Sequence, residues 1–283
     1  MSLAFGLTAD DPAALGAFTA ATGVTPSISA WFRDWSGEPA FDAARADAAR
    51  RCGALPLVTW EPWTAGRGPD QPEYALARIA AGDHDDRVTA VAEQVRDWGG
   101  HLALRFLHEL DAPHYPWGAG VNGNTPDHAV AAWRHVRRLF RAVGAHDVTW
   151  IWCVNAPGSV PYRPLYPGDE WVDWVAVDGY NGGSAMPWGG WRSPDDVFLP
   201  ALTDLRRTSG RPLVIAEVAC AEQGGDKARW IHRLFELAVE HDVRALVWFD
   251  HDKETDWRVA SSPAAFEAVR REVRVAGRLG PPP

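Results

Sequence analysis

The stretch RFLHELDAPHYPWG, residues 105–118, contains three ionisable side chains within four positions at the end of an apolar run. They are His108, Glu109 and Asp111, and two aromatic residues follow shortly after them. Another carboxylate, Glu217, stands near the end of a second apolar run, PLVIAEVAC. Glycoside hydrolysis requires one carboxylic acid that protonates the leaving oxygen and one carboxylate that attacks the sugar or activates water. Glu109 and Glu217 are therefore candidates for these two roles.

Polar residues also end the other apolar runs, where they could contact the hydroxyl groups of a sugar. We predict that four of them bind substrate: Glu61, Asp111, Asn155 and Asp250. Glu61 lies on the strand before that of Glu109, too near to act from the opposite side of a bond, so we expect a ligand and not a catalyst. Asp111 is expected at the rim of the cleft. Asp34 and Asp250 could equally belong to salt bridges, and the sequence does not decide between these roles.

The chain has 16 Trp and only 5 Tyr, and an aromatic face is a surface on which a sugar ring can stack. Most Trp residues pack in protein cores, so the excess indicates sugar binding only if Trp residues gather at one end of the fold. Many of them stand near the ends of apolar runs. The predicted stacking surfaces are Tyr115, Trp60, Trp63, Trp117, Trp188 and Trp248, and Trp31, Trp35 and Trp191 fall at the same end.

Eight short runs rich in apolar, β-branched and aromatic residues alternate with amphipathic segments. The runs are LAFGLTA, PSISAWF, LPLVTW, HLALRFL, VTWIWCV, WVAVDGY, PLVIAEV and RALVWFD. Thr125–Pro126 and Ser193–Pro194 are typical helix N-caps followed by a first-turn proline, and Asp226 opens a further helix. Eight strands alternating with helices predict an α/β fold, a single (β/α)8 TIM barrel over residues 1–276 with a disordered tail over residues 277–283. An open, doubly wound sheet is the alternative, but no G-x-G-x-x-G follows the first run.

In a TIM barrel the chemistry lies at the C-terminal ends of the strands. The fourth and seventh strands lie on roughly opposite sides of the barrel, so Glu109 and Glu217 can approach one bond from two directions. Arg105 shares the parity of Glu109 and is expected to face the barrel interior. There it would be a buried partner of Asp178 or Glu217 and would help to position the nucleophile.

The alternation of side chains along a strand also predicts the local geometry of both candidates. Leu213, Ile215 and Glu217 share one parity and are expected to point inward. His108 and Glu109 are adjacent, so they cannot both enter one pocket unless the regularity of the strand breaks between them. We therefore predict a turn or bulge at His108 that brings its imidazole to Glu217.

Charge and composition exclude several classes of partner. The net charge is -9 with no basic block, which argues against binding to nucleic acid or an anionic membrane. No apolar run reaches the roughly 18 residues of a membrane span, and the first residues do not form a secretion signal. We expect a monomer that binds a polysaccharide or oligosaccharide and needs no metal or other cofactor. Because such polymers do not enter cells, we expect extracellular action although no signal peptide is present in this chain.

Five segments, taken together and in order, resemble glycoside hydrolase family 26 from the third strand onward. They are RFLHELD with YPWG and NGNTPDHAVAAWRHVRRLF, VTWIWCVN, YPGDEWVDWVAVDGYN, PLVIAEVACAEQGGDKARWI and ALVWFD. The resemblance implies a retaining endo-acting β-glycanase in which Glu109 is the acid/base and Glu217 the nucleophile. It also implies that His108 and Tyr180 contact the nucleophile and that Trp248 lies under the sugar being cleaved.

The family acts mostly on β-1,4-mannan, whereas YPWG followed by NGNTP looks closer to the branch that acts on mixed-linkage β-1,3-1,4-glucan. We therefore expect cleavage of β-1,4 bonds in a plant-type β-glycan by double displacement, with β-mannan first and mixed-linkage glucan a close second. Some relatives cut β-1,3-xylan. Mannose and glucose differ only at the C2 hydroxyl, so the choice depends on a few hydrogen bonds.

Two other classes of function remain as alternatives. A metal-dependent barrel hydrolase would need an H-x-H motif at the first strand, which is absent, and His108 and His114 are poorly spaced for one metal ion. A non-catalytic sugar-binding barrel would be indicated by the loss of either carboxylate, and both are present.

Overall fold

The structure is a computed structural model that describes residues 3–11, 13–275 and 280–283. Eight strands form a closed barrel in which each pairs in parallel with the next and the last pairs with the first. The strands are β1 Ala4–Thr8, β2 Ile28–Asp34, β3 Leu55–Glu61, β4 Leu102–Phe106, β5 Val148–Ala156, β6 Trp174–Asn181, β7 Leu213–Cys220 and β8 Val243–Phe249. All eight coincide with the predicted apolar runs, so the predicted TIM barrel is confirmed.

Helices surround the barrel with two departures from the expected alternation. They are α1 Ala14–Thr22, α2 Ala43–Arg51, α3 Leu76–Ala81, α4 Asp85–Trp98, α5 Pro126–Ala142, α6 Pro194–Thr208, α7 Lys227–Glu240 and α8 Pro263–Arg274. Two α-helices connect β3 to β4, whereas residues 157–173, between β5 and β6, form only two 3-10 turns. This segment contains four prolines within eleven residues, 157–167, which prevent a continuous α-helix.

The predicted N-caps are present. The side chain of Thr125 accepts a hydrogen bond from the backbone N–H of His128 at the start of α5, and Asp226 accepts one from Arg229 at the start of α7. Ser193 and Asp196 form a reciprocal capping box at the start of α6. These caps satisfy N–H groups that the first turn of a helix leaves without partners, and they fix where each helix begins.

Two apolar layers hold the barrel together. The inner cluster consists mainly of small side chains that alternate along the strands: Ala4, Ile28, Ala30, Leu57, Ala103, Ile151, Cys153, Trp174, Ala176, Val214, Ala216, Ala245 and Val247. The larger outer layer lies between strands and helices and contains most of the buried Trp residues. Inward positions nearer the strand ends carry polar groups instead, including Thr59, Arg105 and Asp178. The interior is therefore apolar at its base and polar at its C-terminal mouth.

The predicted boundary between residues 276 and 277, and the predicted tail as far as residue 279, lie outside the described residues. Gly280 donates a backbone hydrogen bond to the carbonyl of Leu3 at 3.1 Å. Within the part of the chain that the structure describes, no helix is both long and apolar enough to cross a membrane.

Candidate active site

Arg105 lies at the centre of the barrel mouth and contacts side chains from three other strands. Nη1 donates to Oδ2 of Asp178 at 2.6 Å, and Nε and Nη2 donate to Oγ1 of Thr59 at 2.9 and 2.7 Å. Nη2 also donates to Oε1 of Glu217. The Arg105 side chain is almost fully buried, and an unpaired charge there would cost several kcal/mol. The predicted contact with Asp178 or Glu217 is made with both.

Glu217 is held through both of its carboxylate oxygens. Arg105 donates to Oε1, and the hydroxyl of Tyr180 on β6 donates to Oε2. Hydrogen bonds to a carboxylate from a guanidinium and a phenol fix its orientation strongly because the acceptor is charged. Arg105 and Tyr180 thus stand where the positioning of a nucleophile would require them.

The predicted inward direction of Leu213 and Ile215 on β7 is wrong. Both side chains pack in the outer layer, whereas Val214 and Ala216 belong to the inner cluster. Glu217 still faces inward because β7 is irregular at this point: one residue separates Ile215 from Glu217, but their partners on β6 are consecutive. A bulge of this kind adds one residue to one strand and so reverses the parity that follows.

The chain leaves strand geometry directly after β4, which ends at Phe106. Leu107 and Glu109 have φ values of 53° and 49°, in the left-handed region that residues with bulky side chains rarely adopt. The indole N–H of Trp117 donates to the carbonyl of His108 at 2.8 Å and holds this segment. The predicted break in regularity is confirmed, although it begins at Leu107 and not at His108.

Glu109 is buried close to several charges. Burial raises the pKa of its carboxyl well above the ordinary range, the charges of Asp178 and Glu217 raise it further, and the charge of Arg105 opposes them. Glu109 therefore holds a proton while Glu217 is ion-paired to Arg105. A protonated carboxyl and a second carboxyl that is ion-paired to a guanidinium are suited to the roles of acid and nucleophile.

The sequence model of Glycosyl hydrolase family 26 matches residues 53–201, which is more than half of the chain. The chain belongs to this family. The predictions of a glycoside hydrolase and of family 26 in particular are thereby confirmed.

The family 26 chain also resembles individual proteins. Endoglucanase H of Acetivibrio thermocellus is 38% identical over 250 residues, which are 86% of this chain and 27% of that protein. The chain thus spans about a quarter of the length of this curated relative. A GH26 β-mannanase from Bacteroides ovatus superimposes with a TM-score of 0.73 at 16% identity, covering 97% of this chain and 89% of the other. An endo-β-1,4-mannanase double mutant from Cellulomonas fimi gives 0.71 at 16% identity, with coverages of 98% and 72%. These two structural similarities show the fold.

His108 does not make the contact expected in the family 26 chain. No hydrogen bond joins its imidazole to Glu217, and neither ring nitrogen has a hydrogen-bond partner among the residues that the structure describes. The nearest carboxylate oxygen is Oε1 of Glu61, at 3.9 Å from Nε2. The break in the chain turns His108 toward β3 and not toward β7, so the expected contact with the nucleophile is absent.

Two of the predicted stacking surfaces lie in the outer layer, away from the cleft. Trp248 is fully buried, its indole N–H donates to the carbonyl of Trp257 at 2.8 Å, and its ring packs against Trp230 of α7. Trp60 packs against Trp35 at a ring distance of 4.9 Å. On β3 and β8 the residues adjacent to these two Trp residues face the barrel interior. Neither Trp60 nor Trp248 can therefore contact a sugar in the cleft. Trp31 and Trp35 are likewise buried in the outer layer.

The aromatic residues after β4 form one packed group. Trp117 is fully buried and stacks face to face on Tyr115, with ring centroids 4.5 Å apart, so it supports Tyr115 and is not itself an open wall as predicted. Trp63 meets Tyr115 edge to face at 5.3 Å. Tyr115 and Trp63 are only partly buried and are the members of this group that a substrate could touch.

Asp111 is buried and not at the rim as expected. Its carboxylate accepts backbone hydrogen bonds from Asn155 at 2.7 Å and Ser159 at 3.3 Å, and burial raises its pKa to about 6. Asp111 therefore ties the loop after β4 to the end of β5, and the sugar-binding role assigned to it has no geometric support. The side chain of Asn155 follows the inward parity of Cys153 and is half-buried at the mouth.

The remaining predicted ligands lie at the edge of the mouth. Asp250 is half-buried, and its Oδ1 accepts a hydrogen bond from the backbone of Val259 at 2.7 Å, which leaves the other oxygen for further contacts. Trp188, on the loop between β6 and α6, is 55% exposed, whereas every other Trp is at least partly buried. Glu61 is nearly buried beside Arg105 and Glu217.

Sequence reasoning missed several residues that shape the mouth. Thr59 accepts from Arg105 and shares the inward parity of Glu61, so the alternation along β3 could have identified it. Phe249 lies edge to face against Tyr180 at 5.8 Å and follows the inward parity of Val247. Trp257 also contacts Tyr180, at 5.4 Å, but it stands in an irregular loop where no pattern predicts its direction.

Within residues 3–11, 13–275 and 280–283, no group of three or more His, Cys, Asp or Glu side chains is arranged to hold a metal ion. The site instead consists of one guanidinium, four buried or nearly buried carboxyls, and aromatic side chains at the entrance. Such a set can protonate a leaving group and supply a nucleophilic carboxylate.

Proposed function

We propose that this chain is a retaining, endo-acting glycoside hydrolase that cleaves β-1,4 bonds of a plant-type β-glycan by double displacement. The observation that carries the proposal is the pairing of an oriented carboxylate with a buried acid. Glu217 is held by Arg105 and Tyr180, and Glu109 is kept protonated by burial and by neighbouring negative charge.

In the first step Glu109 would protonate the glycosidic oxygen while Glu217 attacks the anomeric carbon, which gives a covalent glycosyl-enzyme and releases the shortened chain. In the second step Glu109, now ionised, would take a proton from water as the water oxygen attacks the same carbon, which breaks the bond to Glu217 and releases the sugar and the free Glu217 carboxylate. The charge of Glu217 is one cause of the raised pKa of Glu109. Esterification of Glu217 removes that charge, so the pKa of Glu109 falls when it must act as a base.

For the substrate we place mixed-linkage β-1,3-1,4-glucan ahead of β-mannan, which reverses the order expected from the sequence. The relative at 38% identity is named an endoglucanase, whereas the structures named mannanases are 16% identical. Since neither polymer enters a cell, we also propose extracellular action.

The two carboxyls are tested with two variants and two kinds of substrate. Glu217→Ala should lower the hydrolysis of every substrate by at least about 10⁴-fold, because no group remains to attack the anomeric carbon. Glu109→Ala should lose polymer hydrolysis but retain activity on aryl glycosides with good leaving groups, which need no proton. Reducing-sugar release from lichenan, mannan, cellulose and xylan and release of the aryl group are the measurements.

Azide provides the control for the assignment. With Glu217→Ala, azide should yield a glycosyl azide of inverted configuration, whereas Glu109→Ala should give one of retained configuration. The opposite pattern would mean that the two roles are exchanged. If the wild type hydrolyses none of these substrates and both variants still bind sugar as well as the wild type does, the chain is a non-catalytic sugar-binding barrel.

A further inference from the structure

His108 is an unusual residue for the interior of a protein. It is 1% exposed, and both ring nitrogens are buried without a hydrogen-bond partner. Phe32, Tyr115 and Trp117 surround the ring at centroid distances of 5.9, 4.6 and 5.6 Å. A buried polar group that lacks its hydrogen bond costs about 1–3 kcal/mol. In this conformation the buried imidazole of His108 therefore lacks a hydrogen bond that would stabilise it.

Glu61 is the group that can complete it. Oε1 of Glu61 lies 3.9 Å from Nε2 of His108, and a movement of about 1 Å would bring the two atoms to hydrogen-bond distance. Glu61 itself is 6% exposed and has no hydrogen-bonded basic partner among the described residues. It stands one inward position beyond Thr59 on β3, and Thr59 is paired in register with Arg105. Glu61 is thus next to Arg105 at the mouth of the barrel.

The protonation states of the two groups are complementary. Burial raises the pKa of Glu61 to about 8, with the charge of Glu217 adding to the effect and that of Arg105 opposing it. Burial and the charge of Arg105 lower the pKa of His108 well below its ordinary value. Near neutral pH a protonated carboxyl therefore faces a neutral imidazole. Oε1–H of Glu61 can donate to Nε2 of His108. The indole N–H of Trp63 also interacts with the Glu61 carboxyl and lowers its pKa, and a carboxyl oxygen can accept a second hydrogen bond from a ligand.

We propose that His108 positions Glu61 and not the nucleophile, and that Glu61 accepts a hydrogen bond from the C2 hydroxyl of the sugar being cleaved. The pair would then select between gluco- and manno-configured substrates. The inference rests on the proposed function and adds to it the residues that set substrate preference. His108 is a positioning residue in this scheme, and Glu61 is the substrate-binding group.

The location of Glu61 is what points to the C2 hydroxyl. Glu217 attacks C1, and C2 is the ring carbon bonded to C1 that carries a hydroxyl. Thr59, one inward position before Glu61 on β3, and Glu217 both accept from Nη2 of Arg105, so Glu61 lies on the same side of the mouth as the carboxylate that attacks C1. Glucose and mannose differ only in the direction of this hydroxyl, equatorial in one and axial in the other. A single oriented acceptor contacts one of the two directions better.

The test compares kcat/KM on matched aryl β-oligosaccharides of gluco and manno configuration for wild type, Glu61→Ala, His108→Asn and the double variant. Each single substitution should lower kcat/KM about tenfold on the preferred epimer and less on the other epimer. The ratio of kcat/KM between the two epimers should therefore decrease. The double variant should lose no more than the worse single variant, because both substitutions break the same contact. Tyr180→Phe is the matched control, because it removes a hydrogen-bond donor to Glu217. It should lower kcat/KM equally on the gluco and manno substrates. When Tyr180→Phe and His108→Asn are combined, their effects on kcat/KM should multiply.

A second measurement does not depend on the folding of the His108 variant. With 2-deoxy aryl substrates, Glu61→Ala should lower kcat/KM little beyond the loss that the missing hydroxyl already causes in the wild type. The proposal is overturned if the preference between epimers is unchanged in Glu61→Ala, or if His108→Asn is non-additive with Tyr180→Phe, which would place His108 on the nucleophile. These results differ from failure of the proposed function, which would be absence of glycoside hydrolysis by the wild type.

Discussion

At the scale of single residues, the site depends on one guanidinium shared among three strands. Arg105 holds Thr59, Asp178 and Glu217 at the same time through the planar arrangement of its donors. A lysine carries the same charge but has one compact ammonium group that cannot reach all three partners. The geometry of the guanidinium, and not only its charge, is therefore what orients Glu217.

We expect Arg105→Lys to lower kcat about 10²-fold or more with a smaller change in KM, because the nucleophile loses its orientation. Thermal stability should also fall, since Asp178 keeps a buried carboxyl with a poorer partner. Steady-state kinetics and calorimetry measure the two effects. Arg233→Lys is the matched control, because Arg233 also binds two carboxylates, Asp195 and Glu240, but lies at the surface. Arg233→Lys should change neither kcat nor thermal stability appreciably. Equal effects of the two substitutions would contradict the role of Arg105.

At the scale of elements, the loop between β6 and α6 presents the most exposed Trp of the chain on a constrained backbone. Gly190 donates to the carbonyl of Gly183 at 2.7 Å, and Ser184 donates to that of Gln223 at 3.0 Å. Gly183 has a φ of 52°, and a Cβ there would come 1.8 Å from the Gln223 carbonyl oxygen, so only glycine permits this close approach. Trp188 is thus held in a rigid loop that follows directly after β6, the strand of Tyr180.

Trp188→Ala should weaken the binding of long substrates more than that of short ones. An aromatic face beyond the cleavage site can stack on sugar units that only a polymer supplies, at about 1 kcal/mol or more for one ring. We expect KM for soluble lichenan or mannan to rise about fivefold or more, with a smaller rise for aryl oligosaccharides. Affinity electrophoresis in gels containing the polymer gives an independent measure. Val239→Ala removes another exposed apolar side chain, on α7, and should have no effect. A rise in KM that is the same for short and long substrates would contradict the assignment.

At the scale of the whole molecule, the barrel mouth contains more buried acids than one arginine can neutralise. Burial raises the pKa of Glu61 and of Asp178 to about 8, in the case of Asp178 against the charge of Arg105, and Glu109 titrates higher than its ordinary range. Folding therefore takes up protons, since these groups ionise at lower pH in the unfolded chain. The free energy of unfolding should fall as pH rises wherever the native state binds more protons.

For Glu61 the window runs from its ordinary value of 4.5 to about 8. The protein should be most stable at mildly acidic pH and should lose up to about 1.4 kcal/mol per pH unit for each such group across this window, with no further loss from Glu61 above it. Melting temperatures from pH 5 to 8 test this. Glu61→Gln removes one titrating group, so its melting temperature should decline less steeply than that of the wild type. A wild-type melting temperature that rises over this range would contradict the prediction.

The sequence alone determined the barrel and the two carboxyls. Strand-length apolar runs, capping residues and turn signals depend on local chemistry, so the eight strands and the starts of α5, α6 and α7 were predictable. The missing helix between β5 and β6 was not predicted, although the four prolines within residues 157–167 account for it. Glu109 and Glu217 could be proposed as the catalytic pair because polar residues at the ends of buried strands stand out against an apolar background.

Only the tertiary structure decided which way the side chains near the site point. Parity along a strand reverses with one extra residue, and the bulge before Glu217 depends on how β7 registers with β6 and β8. The same one-residue difference sends Trp60 and Trp248 to the outer layer while Glu61 and Phe249 face the mouth. Because the chain turns after Phe106, His108 lies beside Glu61 of β3 and Asp111 accepts a hydrogen bond from Asn155 of β5. Such directions depend on contacts between distant segments, which the order of residues along the chain does not specify.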